Sequence, residues 1–210
     1  MRDGEKVERL TESLVDWAAA SRPMKGATES GDAFLVRELP SAAMIAVVDG
    51  LGHGAAAAMA ARQALASLRE GEEEPMAMLE RCHEALRSTR GVVLDLVRFD
   101  ATRDLLTRLG VGTIQGILLH ADRNADPRER MLFRQGGVVG RQLPPLRSEV
   151  LAVGPGDTLI LATDGIHHDF TEGLTCAGPL QPKVDRILAR HWNGTDDALV
   201  VAVRYKGALA

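Results

Sequence analysis

Two Asp-Gly pairs, Asp49-Gly50 and Asp164-Gly165, each follow a short apolar run, and two further aspartates, Asp32 and Asp196, each stand just ahead of one. Carboxylates at strand ends are placed for one kind of chemistry. In antiparallel sheets the end of one strand lies beside the start of its neighbour, so all four can collect on one rim. Crowded negative charge is costly unless a cation is bound within it. Carboxylate, carbonyl and water ligands suit Mg²⁺ or Mn²⁺ rather than zinc. Gly50 and Gly165 let the chain turn sharply and bring a carbonyl close to an ion. Taken singly, each Asp-Gly pair is explained as well by a favoured turn dipeptide. The two together, with Asp196-Asp197 ahead of the last apolar run, shift the balance toward a metal site.

Other chemistries find less support. His53, His83, His120 and His191 are scattered and His167-His168 is merely adjacent, so no zinc spacing is present. Cys82 and Cys176 read as small buried hydrophobes of a reducing compartment rather than as nucleophile or disulfide. The glycine-rich turn Asp49 to Gly54 opens a helix and suits phosphate. It lacks the dinucleotide glycine spacing, and no Gly-Lys-Ser/Thr follows.

The elements that must position the aspartates follow from periodicity. Val7 to Ala20 fits both a helical stripe (Val7, Leu10, Leu14, Trp17) and a strand alternation (Val15, Trp17, Ala19). Strands are predicted at Ala33 to Arg37 and Met44 to Val48, then a helix from His53 to Arg69 and a second from Met76 to Arg87. The second helix buries Met78, Leu79, Cys82 and Leu86, and the acidic break Glu70 to Pro75 separates the two. Six strands are predicted next, at Val92 to Phe99, Leu105 to Leu109, Thr113 to Leu119, Met131 to Phe133, Glu149 to Val153 and Asp157 to Ala162. A short helix at Pro182 to His191 and a last strand at Ala198 to Tyr205 complete the chain. Antiparallel strands with helix pairs describe an α+β sandwich rather than a doubly wound fold. No repeat or linker divides the sequence, so residues 1–210 read as a single domain.

Composition narrows the function. The formal charge of −4 and an aromatic content of 3% lack the basic footprint and stacking rings of a nucleic-acid binder. No apolar run nears the roughly 20 residues that span a bilayer. The charged start Met1 to Lys6 is not a secretory signal. A cytoplasmic protein with neither nucleic-acid nor membrane partner is expected.

The ordered segments Ser30-Gly31-Asp32-Ala33-Phe34, Val47-Val48-Asp49-Gly50-Leu51-Gly52-His53-Gly54, Leu161-Ala162-Thr163-Asp164-Gly165 and Asp196-Asp197 resemble the motif set of the PPM (type 2C) metal-dependent serine/threonine phosphatases. Asp-Gly-Leu-Gly-His-Gly and the paired aspartates resemble the SpoIIE branch. The stretch Glu80 to Gly91 is similar to its small stand-alone members that reset the stressosome. The resemblance implies a four-layer αββα sandwich of two antiparallel sheets flanked by helices. It also implies two divalent cations, Mn²⁺ ahead of Mg²⁺, at one edge, and a strand for the ambiguous N-terminal segment. Carried over by motif, Asp49 bridges the ions, the Gly50 carbonyl binds one, Asp164 and Asp196 bind the other, and Asp32 acts near the second through water.

Two cations about 3.5–4 Å apart clamp the attacking and leaving oxygens of an in-line displacement and generate hydroxide near neutral pH. The implied activity is hydrolysis of phosphoserine or phosphothreonine on stressosome scaffold or switch proteins. For the general acid, His53 is a candidate by type and sequence proximity, while its plainer role is an N-terminal helix residue. His167 and His168 read as loop residues first. The family often places a threonine where Leu199 stands, and for a phosphate-binding arginine only Arg22 and Lys25 suggest themselves. Two other functions compete: a pseudophosphatase that binds phosphoprotein without turnover, and a two-metal phosphodiesterase or nuclease, which the charge and the few aromatics disfavour.

Overall fold

The protein is described by a computed structural model covering residues 13–71, 74–122 and 124–208. Two five-stranded antiparallel sheets face one another. The first has the order β1 (Val15–Arg22), β10 (Ala198–Tyr205), β9 (Thr158–Ala162), β6 (Gln115–Leu119), β7 (Glu129–Met131). The second runs β2 (Asp32–Leu39), β3 (Ala42–Gly50), β4 (Val92–Asp100), β5 (Leu105–Val111), β8 (Glu149–Ala152). Helices α1 (Ala55–Leu68) and α2 (Pro75–Ala85) cover the outer face of the second sheet, and α3 (Leu180–His191) covers that of the first. This is the αββα sandwich expected.

The unbroken apolar run in β3 has a simple cause. Both faces of the strand are buried, so alternation is between two cores rather than between core and water. Ala43, Ile45 and Val47 enter the core between the sheets, while Met44, Ala46 and Val48 meet α1 and α2. In β10, Leu199, Val201, Val203 and Tyr205 face the inter-sheet core and Ala198, Val200 and Ala202 face α3. Alanines along α1, with Ala57, Ala60, Ala61 and Ala64 buried, let the helix lie close against β3.

Several predicted boundaries move, each for a local reason. The ambiguous N-terminal segment is a strand from Val15; Val7 and Leu10 lie outside the described residues, as do Glu72 and Glu73 of the acidic break. Helix α1 begins at Ala55 because Gly54 has φ +74°, leaving His53 ahead of it. Thr113 is not in a strand: residues 112–114 carry the chain from β5 in one sheet to β6 in the other. Strand β7 stops at Met131 rather than covering Phe133. Beyond it the Phe133 amide donates to Glu149 Oε2 (3.2 Å) and the Phe133 carbonyl accepts from Arg108. Cys82 is buried as expected, but Cys176 is only partly so and lies at the wall of a cavity remote from the acidic rim.

Candidate active site

Period two in the strands decides where the first two aspartates point. Asp32 and Asp49 are register partners at one end of the β2–β3 ladder. Asp49 continues the inward-facing series Ala43, Ile45, Val47, and Asp32 continues that of Phe34 and Val36. Both carboxylates therefore sit on the inter-sheet face at the rim. From the opposite sheet, β9 ends at Ala162 and Thr163-Asp164 follows, while Asp196-Asp197 leads into β10. Thr163 ties the two sheets together here: its hydroxyl donates to Asp32 Oδ2 (2.7 Å) and accepts the Leu199 amide (2.9 Å).

The Asp-Gly pairs are glycine for a reason other than the one the sequence suggests. Gly50 is the last residue of β3, and a Cβ there would run into the Ala57 carbonyl. A Cβ at Gly165 would run into the Asp197 carbonyl. Close approach, not a sharp turn, demands glycine at 50. At 165 there is also a turn, closed by the Ile166 amide donating to the Thr163 carbonyl (3.0 Å).

An open cleft of 380 Å³ lies over this rim, lined by Asp49, Asp164 and Asp196 with His53, Gly52, Thr113 and Val138 among others. Asp32 stands behind Asp49 and does not line it. Asp164 is exposed and its Oδ2 accepts from Thr113 Oγ1 at 3.5 Å. Asp197 turns inward instead: buried, it accepts the Met24 and Gly31 amides, each at 2.7 Å. It is an anchor for the chain between β1 and β2.

Sequence reasoning missed the residues that hold the rim in place. Asn193 is the chief one. Its Oδ1 accepts the Thr195 amide (2.9 Å), the Thr195 hydroxyl (3.1 Å) and the Asp196 amide (3.2 Å). Its Nδ2 donates to the Asp164 carbonyl (3.2 Å), joining the two metal-candidate loops. The dipeptide Asn193-Gly194 carried that signal, since asparagine so placed bonds the backbone two residues on. Trp192 Nε1 donates to the Asp196 carbonyl (2.9 Å), and Arg22 stacks over the Trp192 ring at 4.8 Å. Arg22 thus stacks on a ring that itself braces Asp196, and Lys25 lines a neighbouring cavity that shares His53. Leu199, in place of threonine, puts its side chain into the inter-sheet core while its amide meets Thr163. His167 and His168 lie at a 3-10 turn, both exposed.

Electrostatics test whether this donor set suits cations. Burial, followed by repulsion from Asp32, Asp164, Asp196 and Asp197, pushes the Asp49 carboxyl up to about 9. Asp32 is pushed up to about 7 by burial, with the Thr163 hydrogen bond pulling against it and Asp197, Asp164 and Asp196 adding repulsion. Asp164 is raised too, by partial burial and by Asp196. No protein cation is among these causes. Among the described residues no three His, Cys, Asp or Glu side chains close into a ready-made cage; the carboxylates face one another along the rim at electrostatic range. An all-oxygen, acidic, uncompensated donor set fits hard divalent cations.

A two-sheet sandwich with helices on both outer faces is the fold of the PPM-type phosphatases, and here aspartates gather at one rim of it. Within that class the match is specific: the family Stage II sporulation protein E (SpoIIE) covers residues 40–206, and the chain belongs to it. Asp49, Asp164 and Asp196 fall inside the matched residues, and Asp32 outside them. Solved structures agree. One, from work on the bacterial stressosome as a modular system adapted to control secondary messenger signaling, is 28% identical with a TM-score of 0.79, covering 91% of this chain and 100% of that one. RsbX in complex with magnesium is 18% identical with a TM-score of 0.79, covering 91% and 96%. The Mycobacterium tuberculosis serine/threonine phosphatase PstP/Ppp is 15% identical with a TM-score of 0.72, covering 92% and 100%. No curated protein matches the sequence significantly.

Proposed function

We propose that residues 1–210 act as one phosphatase domain that releases phosphate from phosphoserine or phosphothreonine of stressosome scaffold or switch proteins in the cytoplasm. The observation that carries this reading is the register-matched pair Asp32 and Asp49, whose charge no protein cation answers, beside a cleft shared with Asp164 and Asp196. Asp49 and the Gly50 carbonyl would hold metal from the β3 side, Asp164 and Asp196 from the opposite sheet, and Asp32, fixed by Thr163, through water. Two divalent cations, Mn²⁺ ahead of Mg²⁺, would supply the Lewis acidity that activates water and offsets the charge of an arriving phosphate.

The chain's own residues supply the rest. Asn193 and Thr163 keep the two sheets' loops in register. The open cleft admits a phosphorylated side chain presented by a folded partner. The leaving oxygen needs a proton, and His53 is the imidazole that lines the cleft. Neither Cys82 nor Cys176 lines it, in keeping with direct attack by water rather than through a thiol. Presence of all four carboxylates supports turnover over a binding-only role. No helix among the described residues is long and apolar enough to cross a membrane. The test is phosphate release from phosphorylated stressosome proteins with Mn²⁺, with Mg²⁺ and with excess chelator. Undiminished release in chelator refutes the metal mechanism.

A further inference from the structure

The turn between α2 and β4 is fixed more firmly than a surface connection requires. Buried Thr89 donates its hydroxyl to the Leu86 carbonyl (2.8 Å) and accepts the Gly91 amide (3.0 Å). The Gly91 carbonyl accepts the Leu51 amide (3.1 Å), which seats the turn on the Asp49-to-His53 loop. On its other side, buried His83 accepts the Gly140 amide at Nδ1 (2.9 Å). Val92 and Val139 exchange two backbone bonds, at 3.0 and 2.8 Å. The loop bearing Val138, part of the cleft wall, is thus tied to the same turn.

Arg90 is the exposed centre of this assembly. Its Nη1 lies 2.9 Å from where a side chain at Gly52 would begin, and Gly52, with φ +83°, lines the cleft. The Arg90 carbonyl accepts from Arg141 Nε at 3.4 Å, so a second guanidinium stands nearby. Several other arginines are occupied: Arg108 with Asp95, Arg98 with Asp100, Arg62 with Glu29, and Arg22 on Trp192. Among the described residues no carboxylate is ion-paired with Arg90 or Arg141.

We infer that Arg90 receives the substrate's phosphate, its guanidinium donating to the non-bridging oxygens of a phosphomonoester entering over Gly52. A planar fork suits that bidentate contact. A dianion approaching an acidic rim gains from positive charge at the mouth, and the rigid turn fixes the backbone from which the Arg90 side chain reaches it. Glycine at 52 leaves the guanidinium its room. In turnover this role rests on the phosphatase reading above; phosphate binding does not.

The experiment uses the full chain in Mg²⁺, with Arg90→Ala and Arg90→Lys. Inorganic phosphate binding is measured by calorimetry, and steady-state kinetics on a small aryl phosphate and on a phosphopeptide. Losing a charged hydrogen-bond donor weakens phosphate binding about tenfold or more. The same loss should raise KM on both substrates with kcat little changed, and Arg90→Lys should recover part of it. Melting temperature and Mg²⁺ affinity stay at the wild-type values. Equal phosphate affinity in wild type and Arg90→Ala overturns the inference, as does a wild type that binds no phosphate. A KM effect confined to the phosphopeptide also overturns it, by assigning Arg90 to the peptide. A wild type that binds phosphate through Arg90 yet releases none upholds this inference and defeats the phosphatase reading.

Discussion

Asp49 and Asp95 lie on neighbouring strands and face the same inter-sheet space, two rungs apart: Asp49 stands opposite Val93, and Asp95 opposite Val47. Their surroundings differ in burial and in what answers the charge. Asp95, fully buried, takes two hydrogen bonds from Arg108 at its Oδ2, from Nη2 at 2.7 Å and from Nε at 3.1 Å. Burial pushes its carboxyl up, and the Arg108 guanidinium pulls against that. At Asp49, on the rim, burial raises the carboxyl and the charges acting on it are all carboxylates. A buried charge answered from within the chain belongs to the scaffold, whereas one left unanswered beside an open cleft marks where an external cation belongs. Asp197 shows the same rule at the rim itself, since two backbone amides answer its charge and it faces inward.

The sharpest way to break this contrast is Asp49→Asn. On the proposed function it removes Mn²⁺-dependent phosphate release by at least about a thousandfold, some 4 kcal/mol of transition-state stabilisation, with the fold intact by circular dichroism. Asp164→Asn should do the same, and near-normal turnover in both variants leaves the rim without its assigned role. The scaffold carboxylate predicts the reverse pattern. Arg108→Met strands Asp95 in the core and should cost about 3 kcal/mol or more in denaturant unfolding, while Asp95→Leu with Arg108→Met recovers most of that. If Arg108→Met is no less stable than wild type, Asp95 is not held by its partner.

How much of this was legible in the sequence depends on distance along the chain. The strands and helices were readable because their cause is local periodicity, and Asp49 and Asp164 because each follows a buried run directly. Asp32 and Asp196 were legible because each stands just ahead of a strand, on the rim where the neighbouring strands end. Thr163 went unread because its partner Asp32 is 131 residues away, and the role of Asp197 because Gly31 is 166 residues away. Neither pairing has a local signature; only the stacking of two sheets creates it. The glycine at 50 was legible as a requirement but not for its cause, which is the Ala57 carbonyl of a helix five residues further on. Thr113 was misplaced because two β-branched residues, Thr113 and Ile114, precede β6 with local strand character, whereas the passage from one sheet to the other leaves no local mark.

Thr163→Val sharpens the comparison from the side of positioning. It removes the hydroxyl between Asp32 and the Leu199 amide while keeping the shape. A partner of this sort is worth about 10–100-fold in metal affinity or activity. The expected result is a Mn²⁺ requirement shifted to higher concentration, with much of the lost turnover regained at high Mn²⁺. A loss that added metal does not recover assigns Thr163 to the sandwich rather than to the ions.

The last effect is the one whose sign discriminates best. Asp49 titrates at about 9 in the folded chain against an ordinary 3.8, and Asp32 at about 7 against the same value. Between those limits the folded chain, free of metal, holds more protons than the unfolded one, so stability falls as pH rises. The contribution of the pair is complete below pH 3.8 and is lost through about 7 for Asp32 and about 9 for Asp49. In chelator, the melting temperature should therefore drop between pH 6 and pH 9, most of the drop coming from Asp49. Asp49→Asn removes the larger contribution and should flatten that slope and raise the melting temperature at high pH. Cations compete with the same protons, so Mg²⁺ should stabilise more at pH 8.5 than at pH 6. A chelated wild type that gains stability with pH, or an Asp49→Asn variant with the wild-type slope, means that the charge of Asp49 is answered inside the chain after all, as that of Asp95 is.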